Sequence, residues 1–190
     1  MKTLWWVRHG PTNLKTMVGW SDVPADLSDS AALARLDAFL PRAPVVSSDL
    51  IRAVHTADAI QRDRPRLPHD AGLRELNFGD WEMRGADDIY DETPDLAMAY
   101  WNDPETSQPP GGESWADLAA RVNGSVDRLL GEPADHLIVV AHFGAILSQL
   151  RRALDISVRD VMRHRIDNLS VTEIRLTNDR WQAGQINHRP

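Results

Sequence analysis

The sequence has no cysteine. Disulfides, thiolate metal sites and thiol nucleophiles are therefore excluded. It has no excess of positive charge either: 21 Lys and Arg stand against 28 Asp and Glu, a net charge of −7. That balance argues against broad nucleic-acid binding and against attachment to an anionic membrane. A site for an anionic ligand must then gather its cations locally. No apolar stretch approaches the ~20 residues of a transmembrane helix. The apolar run after Lys2 is too short for a signal peptide. A cytoplasmic protein is the expectation. Repeats and low-complexity tracts are absent. His55, His69, His136, His164 and His188 show no pairing at metal-ligand spacing, so neither metal nor cofactor is expected.

What is present suits a soluble globular chain. Hydrophobic residues make up 42% and charged residues 26% of 190 positions. That length buries an ample core, and residues 1–190 are expected to form one domain. The pattern alternates strands and helices. Leu4–Val7 is an apolar run that reads as a first strand. Ser28 is placed to cap a helix carrying Leu33, Leu36 and Leu40. Val45–Ser47 reads as a second strand, with Ser48 or Asp49 starting a helix through Leu50, Val54, Ala57 and Ile60. From Asp70 to about Gly111 the pattern is irregular and predicts loops and short helices over the site. A helix from Ser114 carries Trp115, Leu118, Val122, Val126 and Leu129. His136–Ala141 holds the strongest strand signal, followed by a helix with Leu147, Leu150 and Leu154. Ser170–Leu176 and Trp181–Ile186, separated by Thr177-Asn178-Asp179, predict a terminal hairpin. The sum is an α/β fold: a three-layer α/β/α sandwich, mostly parallel, with an antiparallel component.

Two of these strands end in histidine. Val7 leads into Arg8-His9-Gly10, and Val140-Ala141 leads into His142-Phe143-Gly144. In an open α/β sheet both ends lie at the carboxyl edge, where ligands bind. The second strand leads toward Arg52, in the first turn of its helix. A surface arginine gains nothing from the helix dipole there, which favours an anion-binding role. The segment Leu73–Glu82 supplies the carboxylates Glu75 and Glu82. Two histidines, two arginines and a carboxylate can carry phosphoryl transfer without a metal. Arginine forks hold phosphoryl oxygens. A histidine attacks phosphorus. A carboxyl group moves the proton.

Five segments in order carry a resemblance. They are Arg8-His9-Gly10, Ser47–Ala57, Leu73–Glu82, Pro110-Gly111-Gly112-Glu113-Ser114, and Val140-Ala141-His142. Together the chain resembles the histidine phosphatase superfamily, the branch with cofactor-dependent phosphoglycerate mutases and many small bacterial phosphatases. The resemblance implies a phosphoglycerate mutase-like fold and a phosphohistidine intermediate on His9. It implies that Arg8, Arg52 and His142 form the phosphate pocket and that Glu75 donates the proton and later activates water. Spacing from Phe78-Gly79 favours Glu75 for that role, with Glu82 the alternative. Thr12, Lys15 and Phe143 are further candidates at the phosphate.

The chain departs from the family pattern at four places. Pro11 replaces the usual Glu or Gln, Lys15 a common Asn, Met83 a glycine after Trp-Glu, and Phe143 a glycine after the second histidine. Phe143 is expected to narrow the space beside the phosphate. The long insertion and the Glu-Arg-His-Tyr-Gly pattern of the mutases are missing, which favours a phosphatase. A mutase-type isomerase and a non-catalytic phospho-ligand module stand as the alternatives. The expected partner is a small phosphorylated metabolite, with no nucleic acid and no membrane. Trp20 and Trp81 border the predicted site, and core packing explains them equally well.

Overall fold

Side chains alternate across a strand, so a strand covered on both faces serves two cores. The computed structural model describes residues 1–190. Strand β1 (Lys2–Arg8) sends Leu4 and Trp6 to one face and Val7 to the other. Strand β3 (His136–Ala141) sends Leu137, Val139 and Ala141 to the first face, and Ile138 and Val140 to the second. A strand buried on both faces reads as a continuous apolar run, as Leu137–Val140 does.

Helices cover both faces, giving the expected three layers. Helices α1 (Ser30–Phe39) and α2 (Ile51–Gln61) bring Leu36, Ala53, Ala57 and Ile60 to the smaller core. Helices α3 (Ala86–Glu92), α4 (Pro94–Asn102), α5 (Trp115–Leu130) and α6 (Phe143–Leu154) serve the larger one. A short helix, α7 (Val158–Val161), follows. The sheet order is β2-β3-β1-β4-β5. Strand β2 (Val45–Ser47) and β1 both run parallel to β3. Strands β4 (Val171–Thr177) and β5 (Arg180–Ala183) add the antiparallel part. Asn178 and Asp179 take positive φ at the hairpin tip, the twist a two-residue turn needs. No helix is long and apolar enough to cross a membrane.

Two local expectations, both helix caps, are corrected. Helix α1 is capped by Asp29, whose carboxylate accepts from Ala32 N, rather than by Ser28. Neither Ser48 nor Asp49 caps α2. Asp49 is taken by the Arg74 guanidinium, and Ile51 N donates instead to Asp22 from a distant loop. Trp5 is only half-buried, packed against the smaller core with its ring edge-on to Phe39. Helix α5 starts as read: Ser114 and Asp117 exchange side-chain and backbone bonds in a capping box. The stretch from 70 to 111 is two single 3-10 turns plus α3 and α4. Its acidic residues Asp87, Asp88 and Asp95 are exposed.

Candidate active site

The register of two parallel strands builds the centre of the site. Arg8 of β1 pairs with Ala141 of β3. The next residues, His9 and His142, therefore leave the sheet side by side. Their rings lie 5.0 Å apart between centroids, tilted by 56°. His9 N donates to Ala141 O, which locks the two strand ends together. Both side chains are buried, His9 at 6% exposure and His142 at 0%.

His9 is held in one tautomer. Its Nδ1 lies 2.6 Å from Gly10 O. A carbonyl only accepts, so Nδ1 carries the proton and Nε2 keeps its lone pair. Burial lowers the His9 pKa to about 3, with the nearby Arg52 and Arg8 charges pushing the same way. His142 lies well below the usual histidine range for the same reasons, burial first and Arg52 next. Both imidazoles are thus neutral.

The two arginines come from different elements. Arg52 is fully buried in the first turn of α2. It donates to Ser21 O and Gly19 O, 2.9 and 2.5 Å away. Arg8 donates to Ile166 O at 2.6 Å and lies over the Phe143 ring, 5.4 Å from its centroid. Burial lowers both arginine pKa values, against the opposing pull of Glu75. Arg8 Nε, Arg52 Nε and both nitrogens of His142 are buried without a partner in the protein. Buried polar groups are normally satisfied. Unspent donors from three separate elements match the oxygens of a phosphoryl group.

Glu75 closes the other side. Its Oε1 accepts from Leu76 N at 2.9 Å and from Gly144 N at 3.0 Å, and Gly144 N also reaches Oε2 at 3.1 Å. Gly144 lies in the first turn of α6, where free N–H groups favour anions. A Cβ on Gly144 would come within 2.4 Å of Oε1. Only glycine lets the carboxylate approach this closely.

Of the residues singled out in the sequence, His9, His142, Arg8, Arg52, Glu75 and Phe143 converge. Thr12 is half-buried and Lys15 exposed. Neither is drawn to the cluster by a hydrogen bond or ion pair. Phe143 does not simply narrow the phosphate space: it supports Arg8 and walls an adjoining cavity. Trp20 borders the site, its Nε1 donating to Glu75 O, whereas Trp81 is core, at 1% exposure. Met83 holds φ +63°, the left-handed conformation that glycine adopts without strain.

Supporting residues surround the cluster; Glu82 is visible in the sequence as the second carboxylate, and the others are not singled out there. Glu82 accepts from the backbone N–H groups of Gly19, Trp20, Ser21 and Phe78, and from the Ser21 hydroxyl. Those bonds hold its pKa low, against the effect of burial. Glu82 thereby fixes the loop whose carbonyls hold Arg52. Arg121 donates to Gly72 O, Arg74 O and Glu75 O and pairs with Glu113, bracing the Glu75 segment from behind. Thr56 takes Gly10 N and gives its hydroxyl to Arg52 O. Asn168 donates to His9 O. Of Arg121, Thr56 and Asn168, Thr56 alone had a sequence signal, the i, i+4 spacing from Arg52. Glu82→Ala is expected to cost about 2 kcal/mol by urea denaturation, because several N–H groups lose a charged acceptor. Unchanged stability would refute this clamp.

Known proteins resemble this chain over most of its length. Residues 4–189 match the family model for the histidine phosphatase superfamily (branch 1). The chain is 30% identical over 175 residues to the adenosylcobalamin/alpha-ribazole phosphatase of Salmonella typhimurium, covering 86% of this chain and 85% of that protein. It is 33% identical over 164 residues to the glucosyl-3-phosphoglycerate phosphatase of Mycobacterium tuberculosis, covering 78% and 73%. The solved structure of the native mycobacterial glucosyl-3-phosphoglycerate phosphatase superposes with a TM-score of 0.83 at 27% identity, over 100% of both chains.

Proposed function

The chain belongs to the histidine phosphatase superfamily, and on that premise we propose that it is a metal-independent phosphomonoester hydrolase working through phospho-His9. The carrying observation is a buried, neutral His9 whose Nδ1–H is fixed on Gly10 O, beside two arginines with unspent donors.

The chemistry follows from those groups. Arg8, Arg52 and His142 bind the phosphoryl oxygens and stabilise charge as the phosphoryl group moves. His9 Nε2 attacks phosphorus, the ester P–O bond breaks, and Glu75 gives its proton to the leaving oxygen. The phosphorylated imidazole is cationic, and its Nδ1–H stays bonded to Gly10 O. A water then attacks phosphorus and passes a proton to the Glu75 carboxylate, and the P–N bond breaks. Phosphate leaves, and neutral His9 and protonated Glu75 are restored. No step needs a metal charge, because the arginines supply the positive field.

This reading takes residues 1–190 as one phosphatase domain acting on a small phosphorylated metabolite in the cytoplasm. The relatives named above are phosphatases, which supports hydrolysis over isomerisation. Turnover of an aryl phosphate is expected to be unchanged within twofold in excess EDTA. Loss of activity on chelation, restored by a divalent metal, would overturn the metal-independent mechanism. A phosphoenzyme that returns its phosphoryl group to product rather than to water would revive the isomerase.

A further inference from the structure

Next to the histidine pair lies a space of a different character. A cavity of about 270 Å³ has Glu75, Gly144 and Phe143 in its wall. The same three residues border the cationic cluster, since Gly144 N binds Glu75 and Phe143 lies under Arg8. The cavity therefore begins where a leaving oxygen would stand. Beyond that point its lining is apolar: Met17, Phe78, Tyr100, Trp101 and Met162.

These surfaces are not consumed by folding. Trp101 is 44% exposed and Met162 is 42% exposed. Trp101 also has a partner within the fold. Its ring stacks on the buried Trp81 at 6.3 Å and 19°, and Trp81 also meets Tyr100 edge-on at 5.4 Å. One buried indole thus positions two aromatic rings of α4 along a single cavity. Rigid aromatic rings give contact area at little entropic cost. The two methionines add an adaptable lining.

Size and polarity narrow the occupant. The volume is below the roughly 300–1,000 Å³ of drug-sized ligand pockets. It is well above the ~150 Å³ that accepts benzene. One ring or two fused rings fit, with a short tether to the ester oxygen. Away from Glu75, the charged and amide side chains in the lining are Asn102 and Arg159. A polyol placed here would lose water from several hydroxyls and recover few hydrogen bonds, a net cost. A flat apolar group has nothing to lose.

We propose that this cavity receives the alcohol part of the substrate and selects phosphomonoesters whose alcohol carries an apolar, ring-sized group. The inference rests on the reading of the site as a phosphomonoesterase. It makes Trp101, Met162 and Phe143 specificity-determining residues of this chain.

The test compares 3-phenylpropyl phosphate with n-propyl phosphate. Their leaving oxygens are nearly equal in basicity, so the difference reads the ring alone. The expected kcat/KM ratio is roughly 10- to 100-fold in favour of the phenyl ester, the value of burying one such side chain. In Trp101→Ala that ratio is expected to fall at least fivefold. The corresponding phosphonates, titrated by calorimetry, give a readout without turnover. Equal kcat/KM for the two esters overturns the selectivity and leaves hydrolysis standing. No turnover of either ester, with the phenyl phosphonate still binding at least tenfold tighter, upholds the pocket and overturns hydrolysis. No turnover and no difference in phosphonate binding overturns both.

Discussion

His9→Ala is expected to lose phosphomonoester turnover by on the order of 10⁴- to 10⁶-fold, the scale set by removing a covalent nucleophile. The argument is geometric. His142 lies 5.0 Å away but has neither nitrogen fixed by a protein partner. Of the pair, His9 alone has Nδ1 committed to a carbonyl, which leaves its Nε2 lone pair free to attack. Inorganic phosphate release measures the loss. Intact-mass analysis after acid-free quenching should show a phosphoryl adduct in the wild type and none in the variant. Wild-type turnover, or a surviving adduct, would sink the assignment. The same variant should change the acid response. Folded His9 titrates at about 3 and an unfolded histidine at about 6.5. Between those values the unfolded chain binds more protons, so stability falls as pH falls from about 6.5 toward 3. His142 acts in the same direction. Denaturation midpoints of His9→Ala should therefore fall less steeply with acid than those of the wild type.

Glu75→Gln is expected to lower kcat for an alkyl phosphate by roughly 10²- to 10⁴-fold, the usual worth of a positioned general acid or base. Glutamine keeps an acceptor for Leu76 N and Gly144 N, so the backbone around the site is retained. What it loses is the proton for the leaving oxygen. An aryl phosphate with an acidic leaving group needs that proton less. Its first step should suffer less than the alkyl ester's, and phosphoenzyme should accumulate because water is no longer activated. Burst kinetics with an aryl ester resolve the two steps. Equal losses for both esters with no burst would show that Glu75 shapes the site without moving a proton. Glu82 is unsuited to this task. Its oxygens already serve four backbone N–H groups and a hydroxyl, and that commitment keeps it ionised.

Much of the site was legible because its residues sit where local pattern changes. Arg8-His9-Gly10 and His142 each follow an apolar strand, and Arg52 opens a helix after a third. A strand end is visible as a break in hydrophobic periodicity. Caps were legible in part: the local Asp29 cap of α1 lies one residue from the expected Ser28. The start of α5 at Ser114 was legible, and the structure adds its local partner Asp117, whereas α2 draws its first-turn acceptor from Asp22, 29 positions away. The Glu82 clamp, the Arg121 brace and the Asn168 bond span 46 to 159 positions for their longer contacts. No periodicity reports such pairings.

The sequence alone determined the alternation of elements, the strong strand signal of β3 and which candidate groups stand at strand ends. These follow from side-chain chemistry and local spacing. Tertiary structure decided how the two carboxylates differ in commitment: Glu82 serves a loop of backbone N–H groups, and Glu75 stands at Gly144 beside the histidines. It also decided that Thr12 and Lys15 lie apart from the cluster and that Phe143 walls a cavity. The physical reason is common to all three. A side chain's burial, charge and hydrogen-bond partners are set by the register of β1 on β3 and the docking of the helices and loops around that edge, which bring together residues that no short stretch of sequence relates.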